Sequence, residues 1–169
     1  MRALVVYESM WGNTRAIAEA VADGIGPEAT AAPTDGVTVA ELAEADLVVA
    51  GAPVIAFSLA GEQARQNISH SEAGAPRPPD LEHPSMRTWL EALPHGKARA
   101  AAFETRIWWS PRGATGDIEK RFRAAGYQVV AKAQKFVVQG KYGPLRAGEV
   151  ERARAWGSEL AQLASDRGA

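Results

Sequence analysis

Short apolar segments alternate with amphipathic segments along the chain. Leu4-Val5-Val6-Tyr7 is apolar and partly β-branched, and it ends at a polar turn, as expected of a strand that is buried on both faces of a sheet. Ile17, Val21 and Ile25 then recur four residues apart, which predicts a helix with one apolar stripe. The chain therefore opens with a strand, a turn and a helix.

The same alternation continues to the end of the chain. Further strands are predicted at residues 28–33, 47–50, 100–103 and 127–138, and the last of these is either long or broken. Helices are predicted after the capping box Thr38-Val39-Ala40-Glu41, from Ser85 onward, and from Ile118 to Gly126. The last helix is predicted to carry Val150, Ala153, Trp156, Leu160 and Leu163 on one side.

Two stretches interrupt this pattern. The third strand is expected to break at Gly51-Ala52-Pro53, because Pro53 has no amide hydrogen for a sheet ladder. Residues 61–84 are rich in Gly, Pro, Ser, Asn and charge, and they are longer than most connections in compact domains. We expect an irregular excursion there.

Strands that alternate with helices predict an α/β fold, in which a mostly parallel sheet carries helices on both faces and the crossovers are right-handed. The length of 169 residues fits one domain, residues 1–169. The first residues run directly into a strand pattern without a signal peptide, and no long apolar run follows. We therefore expect a cytoplasmic protein without membrane insertion.

The amino-acid composition of the chain excludes several classes of chemistry. The chain has no cysteine, so disulfides, thiolate metal sites, iron–sulfur clusters and thiol nucleophiles are excluded, and any redox chemistry must come from a bound cofactor. Residues 1–60 carry eight acidic and two basic side chains, and residues 61–169 carry twelve and seventeen, which gives net charges of −6 and +5. The basic residues form no dense block, so no nucleic-acid partner is expected. His70, His83 and His95 are widely spaced, so no metal site is expected.

Residues 9–14, Ser9-Met10-Trp11-Gly12-Asn13-Thr14, have the composition of a phosphate-binding turn. They follow the first strand and open the first helix, and ligands of such sheets bind at the carboxyl ends of the strands. Two hydroxyls, an amide, a glycine and the helix start could all face an anion. A plain polar turn with a helix cap is the alternative. The chain lacks both G-x-G-x-x-G after the first strand and G-x-x-x-x-G-K-[ST], which argues against other nucleotide folds.

The turn at residues 9–14 resembles the phosphate loop of the flavodoxin family, and we call it the phosphate loop. Ser9, Gly12 and Thr14 match the family pattern, whereas Trp11 stands where the family usually has Ser or Thr. The resemblance implies a flavodoxin-like three-layer sandwich with a five-stranded parallel sheet in the order 2-1-3-4-5. It also implies flavin mononucleotide (FMN) as the cofactor, with its phosphate held by residues 9–14.

A second loop extends the resemblance. Pro53-Val54-Ile55-Ala56-Phe57 lies where flavodoxins cover one face of the isoalloxazine ring. Gly51 and Pro53 match the usual opening of that loop, and Val54 replaces a common Thr. Phe57 either stacks on the flavin, where a flat aromatic side chain buries apolar area, or is an ordinary core residue.

A third loop is expected to meet the pyrimidine edge of the flavin, largely through backbone groups. By resemblance it begins at Glu104-Thr105-Arg106, and Trp108 and Trp109 would wall the other face of the ring. If Arg106 lies near that edge, its charge would stabilise added negative charge on the cofactor and raise the reduction potential. The alternative is that Arg106 is a solvated surface cation.

The resemblance implies an FMN-binding redox protein that passes electrons to a redox partner protein or to a small acceptor such as a quinone. The near-zero net charge argues against a one-electron shuttle, because the shuttles of the family resemble strongly acidic proteins. One alternative is a flavin-dependent NAD(P)H:quinone-type reductase, with the excursion and Trp108-Trp109 forming a substrate pocket. Another is a flavin-free binding or regulatory module, in which Trp11 and Val54 have closed the phosphate site. No catalytic residue or oligomeric state is indicated.

Overall fold

The computed structural model describes residues 1–71 and 74–166. Strands and helices alternate as the sequence predicts. The strands are β1 (Ala3–Tyr7), β2 (Ala29–Pro33), β3 (Leu47–Ile55), β4 (Ser58–Leu59), β5 (Arg99–Ile107), β6 (Gln128–Val129) and β7 (Gln134–Val138). The helices are α1 (Asn13–Ile25), α2 (Val39–Glu44), α3 (Glu62–Ser71), α4 (Met86–Glu91), α5 (Thr115–Ala124) and α6 (Glu149–Ser165).

The main ladders of the sheet are parallel, in the order β2-β1-β3-β5. Beyond β5, β6 pairs with the start of that strand and β7 with its end, so the two together form the broken fifth strand that the sequence predicts. β4 pairs antiparallel with the end of β3. The α/β fold with the order 2-1-3-4-5 is therefore confirmed, and the β3–β4 hairpin is an addition to it.

Two helices begin where the sequence places their caps. Thr38 Oγ1 accepts a hydrogen bond from Glu41 N, and the Glu41 carboxylate accepts one from Thr38 N, which completes the predicted capping box of α2. Ser85 Oγ accepts from Thr88 N at 3.1 Å and caps α4. Hydrogen bonds from neighbouring side chains thus define where these two helices begin.

Alternate residues of the central strands face two separate cores, because side chains along a strand point to opposite sides of the sheet. Val48 and Ala50 of β3 belong to the core that α4 and α5 cover. Leu47 and Val49 belong to the core beneath α1 and α6. A strand that is buried on both sides has a continuous run of apolar residues, and this run is the feature that predicts β3 from the sequence.

Helices α1 and α6 approach each other at backbone distance. A Cβ atom added to Gly157 of α6 would lie 2.2 Å from the carbonyl oxygen of Val21, and one added to Gly24 of α1 would lie 2.0 Å from the carbonyl oxygen of Arg154. Each glycine therefore makes room for the backbone of the other helix. This contact holds α6 against the helix that starts at the phosphate loop.

The prediction that β3 breaks at Gly51-Ala52-Pro53 is wrong, because the strand continues to Ile55. The carbonyl of Gly51 accepts a hydrogen bond from Glu8 N, so the polar groups of Gly51 point towards β1. Pro53 lies two residues further on and points the same way, past the end of β1 at Tyr7. Its missing amide hydrogen therefore removes no ladder bond.

The irregular excursion expected at residues 61–84 begins instead with a helix, α3. The hydrophobic pattern of the sequence does not predict this helix, because its most buried contact is made by a charged side chain and not by an apolar stripe. Arg65 is only 2% exposed and donates to the carbonyl oxygen of His83 at 2.7 Å. Residues 74–84 form turns and bends without a helix or strand.

Two smaller predictions are also wrong. Leu163 is 43% exposed, and Ala164 is buried in its place, because Ala164 continues the four-residue spacing of Trp156 and Leu160. The segment Glu104-Thr105-Arg106 does not begin a loop, since β5 continues through it to Ile107.

We predict that Gly157→Ala lowers the free energy of unfolding by about 1–3 kcal/mol, because the added methyl group forces α1 and α6 apart. The matched control is Gly116→Ala in α5, where an added Cβ meets no atom within 4 Å. That variant should be neutral or stabilised by up to about 1 kcal/mol through helix propensity. Urea unfolding of both variants checks this, and equal midpoints would contradict the close α1–α6 contact.

Candidate functional site

A cavity of about 580 Å³ opens where the parallel strands end, within the range of about 300–1,000 Å³ that is usual for cofactor sites. We call it the main cavity. Its walls are the phosphate loop, the β3–β4 hairpin, the end of β5 with the residues after it, and the start of the loop after β7. The predicted residues that line it are Ser9, Met10, Trp11, Asn13, Thr14, Pro53, Val54, Ile55, Ala56, Phe57, Thr105, Arg106 and Trp109.

The phosphate loop turns sharply at Gly12. This residue has φ 96°, a left-handed conformation that glycine adopts without strain, and its amide donates to Ser9 Oγ at 3.1 Å. Among the described residues, no side chain caps the start of α1. The first amides of a helix lack intrahelical acceptors and lie at the positive end of the helix dipole. This end of the cavity is therefore suited to an anion.

Two further contacts fix the side chains of the loop. Thr14 Oγ1 and Thr105 Oγ1 lie 2.7 Å apart and are buried, so one hydroxyl donates to the other and the second proton can serve a ligand. Asn13 Nδ2 donates to the carbonyl oxygen of Tyr142 at 3.0 Å. A Cβ on Gly143 would lie 2.5 Å from Asn13 Oδ1, so residues 139–143 pack directly on the phosphate loop. We call residues 139–143 the rim loop.

Trp11, which departs from the family pattern, holds neighbouring segments against the phosphate loop. Its Nε1 donates to the carbonyl oxygen of Arg77 at 3.2 Å. Its ring meets the ring of Tyr142 edge-on, with centroids 4.8 Å apart. The indole therefore joins the rim loop to residues 74–84 on either side of the phosphate loop.

The hairpin of β3 and β4 presents an aromatic side chain to the main cavity. Val54 pairs with Leu59 and Ile55 with Ser58, which leaves a two-residue turn. Both turn residues, Ala56 and Phe57, have positive φ angles of 47° and 62°. Two left-handed residues match the twist of a tight hairpin, although Asn and Gly usually supply them.

Phe57 and Trp109 contact each other edge-on in the wall of the main cavity. Their ring centroids are 5.7 Å apart, with the planes inclined at 62°. Both rings remain largely exposed, at 40% for Phe57 and 54% for Trp109. Phe57 is therefore not a core residue, and the two rings leave apolar area that a flat ligand could cover.

Arg106 lines the main cavity and carries a paired charge. Its Nη1 lies 3.0 Å from Glu104 Oε1, and its side chain is only 10% exposed. The alternative of a solvated surface cation is therefore excluded. Glu104 is fully buried, and its other oxygen accepts from the amides of Ala114 and Thr115 at the start of α5. The positive end of that helix and Arg106 together balance the buried carboxylate.

A buried ion pair lies beside the phosphate loop. Glu8 Oε2 and Arg65 Nε are 3.1 Å apart, each side chain is 3% exposed, and the atoms are not aligned as a hydrogen bond. Glu8 Oε1 accepts from Met86 N at 2.9 Å. Burial raises the pKa of Glu8 from its ordinary 4.5 to about 7, against the opposing effects of the Met86 amide and Arg65. This pair ties α3 to the end of β1.

The structure brings thirteen of the fifteen predicted site residues together around the main cavity. Gly12 shapes the loop without lining the cavity, and the Glu104 carboxylate is turned towards α5. The sequence analysis missed Ile68, Ile107, Ser110 and the segment 138–141. This segment begins with the last residue of β7 and continues into the loop after it, so the rule that ligands lie beyond the carboxyl ends of strands could have found it.

In the part of the chain that the structure describes, no group of three His, Asp or Glu side chains is placed to hold a metal ion. His83 Nδ1 lies 2.6 Å from Asp35 Oδ1, and His95 lies elsewhere, before β5. The side chain of His70 lies outside the described residues. Across the same described part of the chain, no helix is long and apolar enough to cross a membrane.

These features define a doubly wound α/β protein in which the uncapped start of the first helix lies beside an aromatic-lined cavity. The family model of flavodoxin matches residues 5–156. The chain therefore belongs to the flavodoxin family. No protein of curated function matches it in sequence.

Solved structures share the fold at low sequence identity. A flavodoxin from the domain Archaea is 20% identical, with a TM-score of 0.67, and the match covers 97% of this chain and 99% of that one. The flavodoxin-type, WrbA-like protein of Agrobacterium tumefaciens is 21% identical, with a TM-score of 0.65 and 98% of both chains covered. The flavodiiron protein of Giardia intestinalis is 18% identical, with a TM-score of 0.63, over 96% of this chain and 36% of that one.

FMN is the cofactor of the flavodoxin family, and the main cavity fits it. The helix start and the hydroxyls of Ser9 and Thr14 suit the phosphate, whereas Phe57 and Trp109 offer apolar area to the ring system. Asn13 is largely committed to the rim loop. The polar and apolar ends of the cavity thus match the two ends of the cofactor.

We predict that Glu8→Gln flattens the pH dependence of stability between about pH 5.5 and pH 8. Folded Glu8 keeps its proton up to about pH 7, whereas the unfolded chain releases it near 4.5. Glu8 therefore stabilises the fold most below pH 4.5, and this contribution is lost as the pH rises through 7. Urea unfolding at the two pH values should show a loss on the order of 2 kcal/mol that the variant lacks. Equal pH dependence in both proteins would contradict the shift.

Proposed function

We propose that this protein is an electron carrier that binds FMN noncovalently in the main cavity. The observation that carries the proposal is the single cavity in which a helix-start anion site and two exposed aromatic rings lie together. Membership of the flavodoxin family supports the same cofactor. The low identity of the solved structures supports the fold alone, so the electron-transfer role is our inference.

Each wall of the cavity has a role in this proposal. The phosphate loop, through Ser9, Thr14 and the first amides of α1, would hold the phosphate. Residues 53–57 would cover one face of the ring and Trp109 the other once the edge contact between Phe57 and Trp109 has opened to admit the ring, and these two walls would exclude water from it. Thr105 and Arg106 would meet the pyrimidine edge. FMN itself would supply the redox chemistry, because the chain has no cysteine to form a redox-active thiol or disulfide.

The paired charges at the end of β5 would tune the cofactor. Arg106 lies in the cavity wall, but Glu104 neutralises part of its charge at 3.0 Å. An electrostatic effect on the reduction potential would therefore depend on the pair. Any gain from Arg106 is smaller than that from an unpaired arginine at the same place.

The partner is proposed to be a redox protein or a small acceptor such as a quinone. Trp108 is 72% exposed at the mouth of the cavity, where an incoming partner would meet it first. A quinone-type reductase is a second candidate, because Ile68 and Trp108 add apolar surface for a flat substrate beside the flavin. A cytoplasmic location stays a prediction from the sequence.

We predict that the purified protein is yellow and that the stripped protein binds one FMN with micromolar or tighter affinity. Quenching of flavin fluorescence during titration measures this directly. A matched pair of variants tests the location: Thr14→Val removes a cavity hydroxyl and should weaken binding, whereas Thr30→Val, on the exposed side of β2, should not. The expected loss for Thr14→Val is about three- to tenfold, as for one hydrogen bond.

Three results would count against this function. A colourless protein that does not bind FMN would favour the flavin-free module. Equal FMN affinity in both threonine variants would place the flavin elsewhere. Steady oxidation of NADH or NADPH by the loaded protein with a quinone, without a reductase partner, would favour the enzyme over the carrier.

A further inference from the structure

Residues 77–80 cross the outer side of the phosphate loop and are fastened to it at both ends. Asp80 N donates to the carbonyl oxygen of Met10 at 2.9 Å. At the other end, Trp11 Nε1 donates to the carbonyl oxygen of Arg77 at 3.2 Å. Because both bonds use backbone atoms of this segment, they fix its path whatever side chains it carries. Arg77 is thereby placed above the turn at Gly12.

The Arg77 guanidinium occupies the space beside Gly12 that a side chain would fill. Its Nη2 lies 3.1 Å from the position of a Cβ atom on Gly12. Gly12 is the N-cap of α1, so the guanidinium stands at the positive end of that helix. A cation at this end of a helix is unfavourable unless an anion binds close to both positive groups. The arrangement is therefore suited to a bound anion.

No carboxylate among the described residues forms an ion pair with Arg77. The nearest acid along the segment, Asp80, faces elsewhere: its Oδ1 accepts from Glu82 N, and its Oδ2 lies 3.8 Å from His83 Nε2. Arg77 is exposed and does not line the main cavity in this structure, so its guanidinium would have to turn to reach a phosphate bound there. An arginine binds a phosphate through two parallel N–H donors, which a single hydroxyl cannot match.

We propose that Arg77 binds the phosphate of FMN and sets the preference of the site for FMN over riboflavin, an inference that rests on the proposed function. Trp11 removes a hydroxyl from the usual loop pattern, yet it also holds the backbone of Arg77 in place. The substitution therefore exchanges one neutral phosphate donor for a charged one. The phosphate is then bound by the start of α1 and by the Arg77 side chain of residues 77–80.

The test compares two ligands that differ only by the phosphate. FMN and riboflavin are titrated into the stripped full-length protein and into Arg77→Gln, with flavin fluorescence as the readout. Arg123→Gln is the matched control, because Arg123 is an exposed arginine on α5 that pairs with Glu119. Circular dichroism and thermal unfolding without ligand check that each variant is folded.

We expect Arg77→Gln to bind FMN about tenfold or more weakly and riboflavin as the parent does. The salt dependence of FMN binding should also decrease, since one cation no longer faces the phosphate. Arg77→Lys should fall between the parent and Arg77→Gln, because it keeps the charge but loses the two-donor geometry. Arg123→Gln should bind both ligands like the parent.

Other outcomes overturn the inference and can be told apart. Unchanged FMN affinity in Arg77→Gln would remove the role of Arg77 and leave the proposed function standing. Equal weakening of FMN and riboflavin would show that Arg77 acts through the shape of the loop. A parent protein that binds neither flavin would overturn the proposed function and this inference together.

Discussion

The turn from β1 into α1 is the constraint on which the rest of the site depends. It leads from a strand buried in the sheet to the start of a helix within residues 8–12, and the left-handed backbone of Gly12 makes so sharp a change of direction possible. The helix amides therefore face outward at the edge where the other parallel strands also end. This turn therefore makes the start of α1 a favourable place for a negatively charged group of a ligand to bind.

The surrounding segments are fitted to that turn by polar contacts of long sequence range. Asn13 holds the rim loop through the carbonyl of Tyr142, and Trp11 and Met10 hold residues 77–80. The Glu8–Arg65 pair secures α3 one residue before the turn begins. The Glu8–Arg65 pair is buried and therefore costly to break, whereas the Asn13 bond is part-buried and the Trp11 bond is exposed. The phosphate loop is thus held by contacts to distant segments that its own composition does not reveal.

Sequence reasoning succeeded where the relevant chemistry is local. The strands show as apolar runs, and the phosphate loop combines its hydroxyls, glycine and helix start within six residues. It failed where a contact joins distant parts of the chain, as for Arg77 beside Gly12 or Arg65 beneath Glu8. The β3–β4 hairpin escaped notice because Phe57 and its neighbour adopt the left-handed backbone without the usual Asn or Gly.

The most direct test of the account is a crystal structure of the protein with FMN added. The account predicts electron density for the phosphate within hydrogen-bond distance of the Ser9 and Thr14 hydroxyls and the first amides of α1. It also predicts that the ring system lies between residues 53–57 and Trp109. Flavin density at another surface, with none at the phosphate loop, would contradict it.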